Sequence, residues 1–293
     1  MLSILIPVYN YNAFSLVEKL HNQVAELNIP FEIICLDDAS SLFTNENQQI
    51  NQFQNSSFVV LEKNIGRSAI RNLLSQKAVY ENLLFLDADT IPVHDNFISN
   101  YISQINTSEK VVYGGILYQN SKPSKNELLR WIYGIKREAL SASERGKNLY
   151  LSFLTLNFLI KKSLFSKVHF NENIPNLRHE DTLFSYELMQ NKVESIHIEN
   201  PVYHLGIEDS KTFLKKSEEA VIGLKNLVDS NLISSDYVKL SHYFQIIKKY
   251  RLTSLIGFGF RVFKPLFVKQ LLSKKPSLFL FDIYRLGYYC SVD

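Results

Sequence analysis

The sequence predicts an α/β fold: a mostly parallel central sheet flanked by helices, followed by a helical C-terminal tail. Three observations carry that expectation. Short apolar runs ending in polar punctuation recur through the first half, at Leu2 to Val8, Phe31 to Leu36, Phe58 to Leu61 and Leu83 to Leu86. Runs that are apolar on both faces suit central strands of a covered parallel sheet. Helical spacing fills the gaps between them, which is the alternation of a chain wound by right-handed crossovers. Finally, 293 residues with 46% hydrophobic and 21% charged content suit one large domain, or one domain with an appendage. They exclude a disordered or fibrous chain.

Taken in order, Leu2–Val8 reads as a first strand and ends in Pro7-Val-Tyr-Asn10. Phe14, Val17, Leu20, Val24 and Leu27 form one helical stripe before Pro30. Phe31 to Leu36 is the second strand, ending in Asp37-Asp-Ala-Ser40, and Phe58 to Leu61 the third, ending in Glu62-Lys-Asn64. Gly66 precedes a helix marked by Ala69, Ile70, Leu73 and Leu74. Leu83 to Leu86 is the fourth strand and runs straight into Asp87-Ala-Asp89.

Beyond Pro92 the alternation loosens. Val111 to Tyr118 reads as a strand whose paired glycines mark a bulge or a close approach to ligand. Glu127 to Arg145 reads as one amphipathic helix, and Phe153 to Ile160 as a strand or buried segment. From about Ser210 the chain reads as helical to its end.

Charge is unevenly placed. The net +3 conceals ten Lys or Arg against two acids in residues 239–293, a segment of +8, and −5 in the remaining 238 residues. Residues 1–230 are expected to form the α/β domain and 231–293 a basic helical tail. Basic groups alternating with Phe and Leu, as in Ile256 to Phe267, suit an anionic membrane surface. A helical cap or an oligomer interface accounts for them equally well. Nucleic acid is not expected, because the aromatics lie among aliphatics. Cys35 and Cys290 imply neither a disulfide framework nor a metal cluster. The start carries no basic leader, and no apolar run approaches the ~20 residues of a membrane span. A cytoplasmic protein is expected, and a membrane-bound tail would make it peripheral on the inner face of the cytoplasmic membrane.

In open parallel sheets ligands bind beyond the carboxyl ends of the strands. All four strand ends carry an acid or an amide. No Gly-x-Gly-x-x-Gly or Walker loop follows strand one, so dinucleotide and P-loop readings lose their support. Asp87 and Asp89, two apart in extended chain, face one side and can share a ligand. Hard oxygen donors suit Mg²⁺ or Mn²⁺ held jointly with phosphate oxygens; a solvated turn before Pro92 explains the pair as well. Arg71, on the second turn of its helix, can reach a diphosphate or a base, or simply face solvent. Trp131 and Tyr133 can offer a sugar platform, although a packed helix face is the plainer use.

These segments together resemble the family 2 glycosyltransferases of the GT-A fold. The resemblance runs in order from Leu2 to about His204, through Ser3 to Asn10, Asp37 to Ser40, Asn64 to Asn72, Asp87 to Asp89 and Glu180-Asp181. It implies an inverting transferase that moves a hexosyl or N-acetylhexosaminyl group from a nucleoside diphosphate sugar, most often a UDP-sugar, to a hydroxyl. The acceptor would be a saccharide or lipid-linked precursor of a bacterial-type surface polysaccharide. By the resemblance Pro7, Tyr9 and Asn10 line the base pocket, and Asp37 or Asp38 accepts from the uracil. Asn64, Gly66 and Arg71 border base or diphosphate, and Asp87 approaches the ribose. Asp89 ligates Mn²⁺ or Mg²⁺, with His204 as a further ligand. Asp181 takes the acceptor proton and Glu180 holds a hydroxyl.

Two departures stand out. Relatives often carry glycine where this chain has Ala39, and commonly just upstream of the Glu-Asp pair, where this chain reads Asn176-Leu-Arg178-His179. A nucleotidyltransferase would show a glycine-rich basic loop after strand one, which Tyr9-Asn-Tyr-Asn12 does not provide. A non-catalytic scaffold should have lost Asp89 or Asp181, and both are kept.

Overall fold

The structure, a computed structural model, describes residues 1–121, 123–174 and 178–292. Ten strands occur among them: β1 Leu2–Val8, β2 Phe31–Asp37, β3 Ser56–Val60, β4 Asn82–Leu86, β5 Thr90–Pro92, β6 Lys110–Tyr113, β7 Ile116–Leu117, β8 Asn157–Lys161, β9 Glu194–His197 and β10 Val202–His204. Seven make one sheet in the order β3-β2-β1-β4-β8-β6-β9, and β5-β10-β7 make a small second sheet. β3, β2, β1 and β4 are parallel, whereas β8 runs antiparallel between β4 and β6. The mostly parallel sheet follows the expectation. β1 is central because Leu2, Ile4, Leu5, Ile6 and Val8 are all buried, while Val59 and Val60 of the edge strand β3 are exposed.

The helix Phe14–Ala25 buries Val17, Leu20 and Val24 in the same core as Ile4, Ile6, Ile33 and Leu84. Burying such a side chain is worth about 1.5–3 kcal/mol. The helix Arg67–Lys77 starts at Gly66, whose φ of 85° favours glycine.

Three segments differ from expectation. Val111 to Tyr118 breaks at Gly114-Gly115 into β6 and β7, which belong to different sheets. The cause is the protein's own packing. A Cβ at Gly114 would stand 2.4 Å from the Asn200 carbonyl, and one at Gly115 would stand 1.9 Å from Arg145 Nη1. Glu127 to Arg145 is not one helix. It divides into an α-helix Leu128–Tyr133, a π turn Gly134–Glu138 and a short helix Ala142–Arg145 opened by Ser141, whose side chain accepts from the Glu144 amide. Phe153 to Ile160 becomes strand only from Asn157.

The chain forms two compact units. The first comprises Met1–Gln119, Ala139–Glu172 and Glu187–Gly206, and holds both sheets. The second comprises Asn120–Glu138, Asn173–Tyr186 and Ile207–Asp293. Its helices include Ser210–Asp229, Lys239–Lys249, Thr253–Leu271 and Leu278–Ser291, of which the last three lie within residues 231–293. The last two approach closely because Gly257 lies against the Cys290 carbonyl and Gly287 against the Phe260 ring. Tyr133 packs on the Phe213 and Phe281 rings, at 5.3 and 5.6 Å, so it serves the core of this unit. Both cysteines are buried, and burial pushes the Cys35 thiol far up, leaving it inert. Among the described residues no helix is long and apolar enough to cross a membrane.

Candidate functional site

The carboxyl ends of β1, β2 and β4 lie along one edge of the first unit, because these strands are parallel neighbours. Pro7 is tolerated in a central strand because β1 pairs with β4 only as far as Leu5, leaving its missing N–H without consequence on that side. Tyr9 just beyond is 58% exposed, a ring open to stacking. Asn10 adopts a left-handed φ of 50°. Its Oδ1 accepts from the Ser41 and Leu42 amides at 2.9 and 3.2 Å, while its own amide donates to Ser40 Oγ at 2.7 Å. Asn10 thus ties the first strand-end loop to the second.

The two adjacent carboxylates after β2 have different tasks. Asp38 accepts the Ile65 amide on one oxygen at 2.6 Å and the Gly66 amide on the other at 3.0 Å, and its carbonyl accepts Asn64 Nδ2 at 3.0 Å. It therefore fixes the turn that opens the Arg67–Lys77 helix. Asp37 accepts the Ser40 amide on Oδ1 at 2.6 Å, and its buried Oδ2 has no hydrogen-bond partner in the protein. A buried carboxylate oxygen left without a donor is costly, so Asp37 retains acceptor capacity for a ligand.

Arg71 is buried and donates from Nη2 to Asp87 Oδ1 at 2.7 Å, with its guanidinium 5.3 Å above the Phe170 ring. Burial pushes the Asp87 carboxyl up; the Arg71 guanidinium opposes that and neighbouring Asp89 adds to it. The Asp87 carbonyl also accepts from the Thr90 amide and hydroxyl at 3.1 and 2.7 Å, which turns the chain sharply into β5.

That turn creates the last contact. β5 pairs antiparallel with β10, setting Thr90 opposite His204. Asp89 Oδ2 and His204 Nε2 consequently stand 3.2 Å apart, although 115 positions separate them in the chain. Gly206 lets the carboxylate lie against the backbone, since a Cβ there would be 2.4 Å from Asp89 Oδ2. Tyr11 lies near enough for the Asp89 charge to reinforce burial in raising its phenol.

Among the described residues no three His, Cys, Asp or Glu side chains form a closed metal cage. An oxygen and a nitrogen donor 3.2 Å apart nevertheless fit two neighbouring positions around a hard cation, which stand about 3 Å apart when bonds are ~2.1 Å. Mg²⁺ sites commonly take one or two protein ligands and fill the rest with water and phosphate oxygens. Asp89 and His204 fit a divalent ion of that open kind.

Glu180 and Asp181 belong to the second unit and open the helix Glu180–Gln190, whose N-terminus favours ionised carboxylates. Asp181 Oδ1 accepts the Thr182 amide at 2.7 Å and lies 3.3 Å from the Thr182 hydroxyl, which lies 2.9 Å from His179 Nδ1. Burial lowers the His179 pKa to about 4, with nearby Arg285 adding to the effect, so the ring is neutral at neutral pH. Arg178 and His179 both hold left-handed φ, 44° and 74°. The glycine expected upstream is thus replaced by two strained residues. Asn176 of the same approach lies outside the described residues.

Sequence reasoning missed Gly206 and Thr182. The glycine's role depends on β-pairing that no spacing reveals. The signal for Thr182 is its place directly after the acidic pair, where a hydroxyl residue bonds locally at a helix start. Ala39 was visible as a departure, and its φ of 59° explains why glycine suits the position.

Comparison with solved structures places this architecture. S. aureus TarS matches with TM-score 0.50 and 18% identity, over 75% of this chain and 39% of that one. TarS residues 1–349 in complex with UDP-GlcNAc matches at 0.50 and 18%, over 99% and 90%. The mannosyltransferase PcManGT from Pyrobaculum calidifontis, in complex with GDP-Man and Mn²⁺, matches at 0.51 and 14%, over 78% and 64%. This chain thus spans well under two thirds of the first of these TarS chains. At these identities the likeness establishes the GT-A fold. A search of curated protein sequences finds no match. The pattern of glycosyl transferase family 2 matches residues 3–171, over half of the chain, including every strand-end residue up to Asp89 but stopping before Glu180 and His204. The chain belongs to glycosyl transferase family 2.

Proposed function

We propose that this protein transfers a sugar, with inversion, from a nucleoside diphosphate sugar to a hydroxyl acceptor, and that the donor is a UDP-sugar. The observation that carries the reading is the strand-end group of the first unit. There Asp37 keeps an unused acceptor oxygen, Arg71 is locked on Asp87, and Asp89 stands beside His204. Asp37 rather than Asp38 is the carboxylate with an oxygen left for a base N–H, since both Asp38 oxygens hold the Asn64–Gly66 turn. Tyr9 supplies an exposed ring for the base, and Asp87, held by Arg71, is oriented toward the ribose. The UDP-GlcNAc complex of TarS supports a uridine donor, while the GDP-Man complex of PcManGT names the rival base.

Inversion is one in-line displacement. The acceptor oxygen forms its bond to the anomeric carbon while the bond to the diphosphate oxygen breaks, and that electron pair leaves with the nucleoside diphosphate. The acceptor proton passes to a carboxylate, a step worth about 10²–10⁴ in rate. Asp181 is the assigned base, and its Thr182 contacts fix the carboxylate orientation. Asp89 and His204 would hold Mn²⁺ or Mg²⁺, which when bound neutralises charge on the departing diphosphate. The family resemblance supports a saccharide or lipid-linked acceptor.

The test is a thermal-shift panel of UDP- and GDP-sugars, each with and without Mn²⁺. A metal-dependent rise in Tm for a UDP-sugar, lost in Asp89→Ala, is the expected result. A rise with GDP-sugars alone would reverse the base assignment. No response to any nucleotide would overturn the reading.

A further inference from the structure

The helix Thr253–Leu271 has two apolar sides, and only one of them is buried. Gly257, Phe260 and Leu271 face the neighbouring helix Leu278–Ser291. On the opposite side Leu255, Phe258, Val262 and Leu266 recur at spacings of three or four residues and form one stripe. They are 67%, 65%, 55% and 62% exposed. A Cβ at Gly259, within the same stripe, would meet nothing within 4 Å. Phe279 on the following helix is 74% exposed as well. Isolated exposed apolar residues need no explanation, but a continuous stripe of this kind marks an interaction surface.

The charges around the stripe decide what covers it. Lys249 and Arg251 are exposed just before the helix, and Lys269, Lys274 and Lys275 are exposed at and beyond its end. The one acid among the described residues of 239–292, Asp282, is paired with Arg137 at 2.8 Å. A second copy of the chain would set two strongly cationic segments face to face in an isologous contact, and protein interface cores are depleted of charge. The helix also carries Arg261, Lys264 and Lys269 and cannot cross a bilayer. An apolar stripe bounded at both ends by cations is the pattern of a helix lying in the plane of an anionic lipid surface.

We propose that the stripe Leu255–Phe258–Val262–Leu266, with its flanking cations, docks the protein onto bilayers containing anionic lipid. The inference is independent of the transfer reaction, since it concerns binding alone. The full chain is sedimented with phosphatidylcholine vesicles, with and without phosphatidylglycerol. Two variants are compared: Leu255→Ser/Phe258→Ser/Val262→Ser/Leu266→Ser, and Lys249→Glu/Arg251→Glu/Lys274→Glu. Every altered side chain is exposed, and near-ultraviolet circular dichroism with unchanged Tm verifies the fold. The expected result is binding that requires phosphatidylglycerol, weakens with salt, and falls at least tenfold in both variants. No binding by the parent, equal binding to neutral vesicles, or full binding by the serine variant would overturn the proposal. So would a dimer in light scattering that the serine variant dissolves, which would assign the stripe to a second copy.

Discussion

Gly206→Ala perturbs Asp89 through a single methyl group. The new Cβ would stand 2.4 Å from Asp89 Oδ2, 3.2 Å from its Cγ and 3.3 Å from its Cβ, and all three nearest atoms belong to that one side chain. The backbone accepts alanine, because the glycines with positive φ are Gly66 and Gly115. The carboxylate must therefore withdraw by about 1 Å, several times the ~0.2 Å tolerance of a metal–ligand distance. The Asp89 side chain is 31% exposed, so loosening its pair with His204 costs under about 1 kcal/mol. For a chain of this size that lowers Tm by no more than roughly 4 °C. Misplacing one of two protein ligands should instead weaken Mn²⁺ binding about 10–100-fold. The assay is a Mn²⁺ titration followed by water-proton relaxation with UDP present. Gly146→Ala is the control, since a Cβ there meets nothing within 4 Å. Parental Mn²⁺ affinity in a normally folded Gly206→Ala protein would refute the assignment of Asp89 as ligand.

Ala39→Gly should stabilise the protein by about 0.5–1 kcal/mol in urea unfolding, because a left-handed alanine costs ~1–2 kcal/mol and glycine returns part of that as chain entropy; a loss of stability would show that Ala39 is not strained. Asp181→Asn keeps the oxygen that accepts the Thr182 amide, so the fold and donor binding should persist while transfer falls about 10²–10⁴-fold. An active Asp181→Asn enzyme would remove Asp181 from the role of base. His179 makes stability depend on acid. Its folded pKa of about 4 lies below the ordinary histidine value of 6.5, so its contribution is full above pH 6.5 and is lost as pH falls toward 4. The loss amounts to roughly 3 kcal/mol. His179→Gln should flatten that slope in unfolding curves between neutral pH and pH 4.5, and an unchanged slope would assign the acid sensitivity to other groups.

The strands of the parallel half were legible because burial on both faces leaves an unbroken apolar run, as in Leu2–Val8. The strand ends followed from the same runs, so Asp37, Asp38, Asp87 and Asp89 could be singled out from the sequence alone. What each one does could not be. Asp37 and Asp38 are adjacent and chemically identical, and their folded partners distinguish them: the Ile65 and Gly66 amides take both oxygens of Asp38, and the Ser40 amide takes one of Asp37. The approach of His204 to Asp89 depends on a three-residue strand pair formed across 115 positions. No local periodicity encodes that, and the position was reached only through resemblance to a family.

The glycine pair shows why such signals are ambiguous. Gly114-Gly115 announces that something comes close to the backbone, and a ligand was one reading. The visitor is Arg145, which is almost fully buried and donates to the carbonyls of Leu140 and Ile198 at 3.0 and 2.6 Å. Its guanidinium lies 4.9 Å from the centre of the Tyr113 ring. Carbonyls take both of its Nη groups and a ring face lies beside it, while its buried Nε has no hydrogen-bond partner. From the sequence Arg145 was only the end of an amphipathic helix, because the pattern of apolar residues reports burial of carbon and is silent about burial of charge. The break between β6 and β7, where the two sheets part, is packed by that arginine at Gly115 and by the Asn200 carbonyl at Gly114. The smaller sheet is the one that brings His204 to Asp89, so a residue remote from every catalytic motif helps to set the geometry of the candidate metal pair.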